Sequence, residues 1–140
     1  MELADSQRTS GNMINKVIGF IGKAHITPSE KAKLVVLGDY IARMGRTLCI
    51  SPAQGAASAV ESGVIGAEGK VLRETTGILS KSDHTLVYAD ERLLNRLLEV
   101  NPRIKDDTKV SLISSELELD LWLKSVEGLL KIHESKQGMA

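Results

Sequence analysis

The segment from Thr47 to Gly63 carries the residues best arranged for chemistry. An apolar run, Thr47 to Ile50, stops at Ser51-Pro52, and a small-residue stretch beginning at Gly55 opens a helix. A strand, a tight loop and a helix N-terminus in direct succession leave unpaired backbone N–H groups and a positive dipole end aimed at one spot. Gly55, Ala56 and Ala57 have no bulk there, so a phosphate can approach their backbone closely. Ser51 and Gln54 can add side-chain hydrogen bonds to those donors. The expected ligand is a nucleotide or another phosphorylated small molecule. The alternative reading is structural: Ser51-Pro52 turns the chain, and the alanines let the helix lie close to the sheet.

Two further segments fall where the same site would be built. Gly22 to Thr27 supplies Gly22 for close approach, with Lys23 and His25 as counter-charges to an anion. Ala89 to Glu91 supplies Asp90, which can cap a helix or accept a sugar hydroxyl. Glu61 and Glu91 are the carboxylates available for acid–base work, although Glu61 reads equally as a solvated helix residue. The formal dinucleotide fingerprint is absent after the first strand, and no P-loop motif exists. Gly63, Gly66 and Gly69 end a helix and serve packing and turning. His25, His84 and His133 lack metal-ligand spacing, so neither a metal site nor a cofactor is expected. His84 begins a strand and His133 lies late in a helix, both structural positions. Cys49 sits in an apolar strand with nothing nearby in sequence to lower its pKa.

The whole-chain numbers narrow the partners. The 140 residues suffice for one ordinary domain with its own core. Eighteen basic and eighteen acidic residues cancel, which argues against a general nucleic-acid surface. Aromatic residues make up only 3%, too few for base-stacking platforms. No apolar run is long enough to span a membrane, and a lone cysteine permits no disulfide within the chain. A cytoplasmic setting is expected.

The elements that must position these residues alternate regularly. Lys16 to Ile21 reads as a first strand, and Thr27-Pro28-Ser29-Glu30 as a helix start with a capping box, the helix running to about Met44 before Gly45. Arg46 to Ile50 is a second strand, followed by the alanine-rich helix from about Gly55 to Ile65. Lys70 to Leu72 is a third strand, and 73 to 82 an irregular connection. Thr85 to Tyr88 is a fourth strand. A helix capped by Asp90 follows, with Leu93, Leu94, Leu97 and Leu98 at core spacing, and Asn101-Pro102 ends it. Lys109 to Ile113 is a fifth strand, and Ser115 to Glu118 a second capping box before a final helix carrying Leu119, Trp122, Leu123, Val126, Leu129 and Leu130 along one stripe. Near-continuous apolar strands separated by helices predict an α/β fold: a doubly wound, mostly parallel five-stranded, Rossmann-like sheet in a three-layer sandwich. Residues 1–14 are expected to form a flexible arm, 15–134 the ligand-binding domain and 135–140 a frayed tail.

The run Val17 to Gly22, the helix ending Leu37-Gly38-Asp39-Tyr40-Ile41-Ala42-Arg43-Met44-Gly45, and Thr47 through Gly55 to Gly63 and Val71 resemble the LOG family and its wider Rossmann-like relatives. These are the "possible lysine decarboxylases", the molybdenum-cofactor carrier proteins and DNA-processing protein A. The resemblance covers roughly residues 16 to 90. It implies this fold, a phosphate-type ligand at the turn after the second strand, and nucleoside-monophosphate phosphoribohydrolase activity. It also implies a homo-oligomer. LOG enzymes carry Pro-Gly-Gly-x-Gly-Thr after the fourth strand, where this chain reads Val87 to Leu93 without a glycine. A binding role survives that loss better than the hydrolase activity does. The expectation is therefore a non-catalytic small-molecule binder, with a diverged hydrolase or an assembly protein as alternatives. Gly55→Val is expected to weaken binding about tenfold or more with the fold intact.

Overall fold

The computed structural model describes residues 16–51, 55–74 and 77–139, with side chains through Ile132. Gln54, the 1–14 arm and the His133 side chain lie outside what is described. The elements are β1 (Val17–Gly22), α1 (Pro28–Arg43), β2 (Thr47–Ile50), α2 (Ala56–Gly66), β3 (Lys70–Arg73), α3 (Ile78–Lys81), β4 (His84–Tyr88), α4 (Glu91–Val100), a 3-10 turn (Ile104–Asp106), β5 (Val110–Ile113) and α5 (Glu116–Met139). The strands form one sheet in the order β3-β2-β1-β4-β5, every described pairing parallel. This is the expected five-stranded α/β sheet. The chain winds outward from β1 to β3, crosses back, and winds the other way through β4 and β5. The switch point therefore lies between β1 and β4, and the register Gly22↔Tyr88 brings their C-terminal ends side by side.

One face of the sheet holds the densest packing. Phe20, Leu48, Ile50, Leu86 and Ile113 project from the strands onto Leu34, Leu37 and Ile41 of α1, Val60 and Val64 of α2, and Leu119 of α5, all of them buried. Each such side chain stabilises the fold by about 1.5–3 kcal/mol relative to exposure. Helices α1 and α2 cross at backbone contact. A Cβ on Gly38 would stand 2.0 Å from the Val60 carbonyl oxygen, and one on Gly63 2.0 Å from that of Val35. On the opposite face, Gly19 admits Ile78 and Ser82 against β1. The right-handed crossover from β4 to β5 carries α4 to that face as well. Its leucines 93, 94, 97 and 98 are only half-buried there.

Local signals set the element ends. Thr27 Oγ1 accepts from the Glu30 N–H at 3.1 Å while Glu30 Oε1 accepts from the Thr27 N–H at 2.9 Å, a complete capping box. Gly45 takes φ +75° just past the end of α1. At α5, Ser115 Oγ caps Glu118 as expected, but Glu118 reaches back to the N–H and hydroxyl of Ser114, one residue earlier. The connection read as irregular contains the single turn α3, too short to show a period. The backbone of α5 continues to Met139, through the residues expected to fray.

Candidate functional site

The C-terminal edge of the sheet gathers the loops after β1, β2 and β4, and its centre is a polar cluster. Lys23 follows β1 directly. Its N–H donates to the Tyr88 carbonyl at 3.0 Å. Its Nζ reaches Glu30 Oε2 at 2.8 Å and lies 5.0 Å from the centroid of the Tyr88 ring. The Tyr88 hydroxyl donates to the same carboxylate oxygen of Glu30. Glu30 is only 5% exposed. Burial alone would raise its pKa, but the hydrogen bonds from Lys23, Tyr88 and the Thr27 N–H, with the Lys23 charge, hold it at about 2. Burial, and then the adjacent Glu30 carboxylate, push the Tyr88 hydroxyl well above its usual range, so it remains a donor. The switch point is thus closed by a cap residue that doubles as the acceptor for two other elements. Lys23 is not the free counter-charge expected from the sequence.

The turn leading into α2 lies beside this cluster. Gly55 has φ +74°, and a Cβ there would stand 2.1 Å from the Ala24 carbonyl oxygen. The loop after β1 therefore presses on it directly. Gly55→Val would collide with backbone, which corrects the expectation that this substitution leaves the fold intact. Gly22 has the same packing role, since a Cβ there would come within 2.5 Å of the Ala56 Cβ. The Ala56 N–H donates to the Lys23 carbonyl at 3.0 Å and cannot serve an anion. Ala56 and Ala57 are buried. Among the described residues, no acceptor faces the N–H of Ala57 or of Ser58, which are left as the open donors of the helix start. Beside Gly55 opens a hollow of about 320 Å³, bounded by Ile26, Lys31, Gly55, Ser58, Ala59 and Ser62. Lys31 is exposed and has no ion pair among the described residues.

The remaining expected residues scatter. His25 is exposed in the loop after β1, and Ser51 is half-buried at the end of β2. Asp90 caps α4, its Oδ1 accepting from the Leu93 N–H at 2.9 Å. Glu91 is exposed beside it. Glu61 forms an ion pair with Arg73 of β3, at the sheet's outer strand. Its charge is directed away from the switch point. Cys49 is buried, which raises its thiol pKa, so it is not an activated nucleophile. His84 is half-buried with Nε2 2.7 Å from Ser111 Oγ, and burial lowers its pKa. Among the described residues no cluster of histidine, cysteine or carboxylate side chains could hold a metal ion. Sequence reasoning missed Glu30 and Tyr88 as site residues. The available signal was a lysine just after β1 and a tyrosine ending β4, at strand ends that a parallel pairing places together.

No family model matches this chain, and no curated protein matches it. Solved structures do. A molybdenum cofactor carrier protein from Chlamydomonas reinhardtii superposes with a TM-score of 0.59 at 17% identity, over 83% of this chain and 87% of that one. A second structure of the Chlamydomonas carrier gives 0.55 at 14% identity, over 84% and 98%. A molybdenum cofactor binding protein from the phototrophic bacterium Rippkaea orientalis gives 0.55 at 18% identity, over 91% and 99%. At these identities the likeness establishes the Rossmann-like fold.

Proposed function

We propose that this chain is a non-catalytic binder of a nucleotide or another phosphorylated small molecule, held at the C-terminal edge of the sheet. The reading rests on one observation: at the start of α2, where the Ser58 N–H meets no acceptor among the described residues, a hollow is lined by Lys31, Gly55, Ser58 and Ser62. An anion there would lie near the positive end of α2, beside Ser58, and face the Lys31 ammonium, which has no ion pair among the described residues. The structural neighbours are named for carrying or binding a small cofactor, which supports a binding role for this fold. Of the two carboxylates offered for hydrolysis, Glu61 is committed to Arg73 and Glu91 is exposed at the start of α4, which favours binding over catalysis.

A thermal-shift titration tests the reading. Stability is expected to rise with the concentration of a nucleoside monophosphate and to rise less with the unphosphorylated nucleoside. Lys31→Glu and Ser58→Asp each place a negative charge at the hollow without touching the core, and each is expected to weaken binding about tenfold. Unchanged affinity in both variants, or no shift with any nucleotide, overturns the site. Release of free base from the monophosphate overturns its non-catalytic character. Among the described residues no helix is long and apolar enough to cross a membrane. We propose a cytoplasmic homo-oligomer: the half-buried leucine stripe of α4, next to exposed Val100, suits a second copy. A monomer mass by light scattering would correct that.

A further inference from the structure

The opposite edge of the sheet, where β1 and β4 begin, holds a second hollow of about 350 Å³. Its floor is Ile18 and Leu86 of the sheet, and its walls are Ile41 of α1 with Trp122 and Val126 of α5. Such walls offer a ligand chiefly hydrocarbon contact. The mouth is different. Lys16 precedes β1 and Arg46 precedes β2, so the parallel pairing Val17↔Thr47 brings the two cations to one rim. Both are half-buried, and neither has an ion-pair partner among the described residues. Of the other polar groups at the mouth, the Asp83 carboxylate accepts from the Val17 N–H at 2.8 Å through Oδ2 and keeps its negative charge, and His84 is turned to Ser111. At the other edge the half-buried Lys23 is matched by the Glu30 carboxylate. Here two cations share the mouth of an apolar cavity with one carboxylate, Asp83, and neither is ion-paired among the described residues, so the rim carries a net positive charge.

We propose that this hollow binds a small amphipathic carboxylate of the medium-chain fatty acid type. Its hydrocarbon body would lie between α1 and α5, and its carboxylate would bridge Lys16 and Arg46. The fit is one of charge and polarity together: an apolar body suits Ile41, Trp122 and Val126, and the bidentate geometry of Arg46 suits a carboxylate. The site is separate from the hollow at α2, lies at the other end of the strands, and uses none of its residues.

The chain's single tryptophan, Trp122, is in the wall and reports directly. Titrating the full chain with decanoate, below the concentration at which it forms micelles, is expected to give a saturable change in Trp122 emission. Decanol, of equal chain length and without charge, is expected to bind about tenfold more weakly. Lys16→Glu and Arg46→Glu, which break no ion pair among the described residues, are expected to raise the half-saturating decanoate concentration by about tenfold each. Equal binding of decanol, indifference to both charge reversals, or emission that never saturates overturns the proposal. The last result would mean that another part of the chain or a second copy fills the hollow. Lys31→Glu should leave the titration unchanged, so this test and that of the α2 site succeed or fail independently.

Discussion

The two ends of β1 and β4 make opposite use of charge. At their C-terminal ends, Lys23, Glu30 and Tyr88 satisfy one another in a largely buried cluster that closes the switch point. At their N-terminal ends, Lys16 and Arg46 flank an open apolar hollow with no ion-pair partner among the described residues. The first arrangement holds three segments together, because desolvating a carboxylate is tolerable only when the oxygens are fully bonded. The second contributes little to the fold and leaves charge available to something else. The protein's own side chains occupy the switch point, and the ligand site proposed above lies beside it, at the start of α2.

The largest effect expected from breaking this contrast is at Glu30. Glu30→Ala removes the acceptor for Lys23, Tyr88 and the Thr27 N–H at once. It should destabilise the protein by about 3 kcal/mol in urea unfolding; a loss under about 1 kcal/mol would show that the cluster holds nothing together. The same group predicts an acid dependence. Its folded pKa of about 2 lies below its ordinary 4.5. The stability it supplies is complete above pH 4.5 and lost as pH falls toward 2. Glu30→Gln should flatten that part of the profile, and an unchanged profile would assign acid unfolding to other groups. A smaller effect follows at Tyr88→Phe, which removes one hydrogen bond and leaves the ring in place, costing about 1 kcal/mol. Lys33→Ala breaks the bridges from α1 to Glu116 at 2.6 Å and Asp120 at 3.1 Å. Those partners are well exposed, so about 0.5 kcal/mol is expected, falling further in high salt. Arg46→Ala should change stability by less than about 0.5 kcal/mol. A larger loss there would mean that the N-terminal rim is a structural site like its counterpart.

Much of the architecture was legible in the chain itself. The Thr27–Glu30 box, the glycine after α1, the Asp90 cap and the apolar runs of all five strands are short-range features, complete within a few residues of one another. Such features need no knowledge of the fold to be read, because the groups that satisfy each other are neighbours in sequence. The site was less legible. That the Ala56 N–H belongs to the Lys23 carbonyl depends on β1 and α2 meeting across more than thirty residues of intervening chain. The second duty of Glu30 depends on Tyr88, 58 residues away. The ion pair of Glu61 with Arg73 required α2 to lie over β3. Local sequence could propose which backbone donors a helix start leaves open. Only the tertiary arrangement decided which of them another loop had already taken, since hydrogen bonds and ion pairs are assigned by distance in space, which the strand order sets.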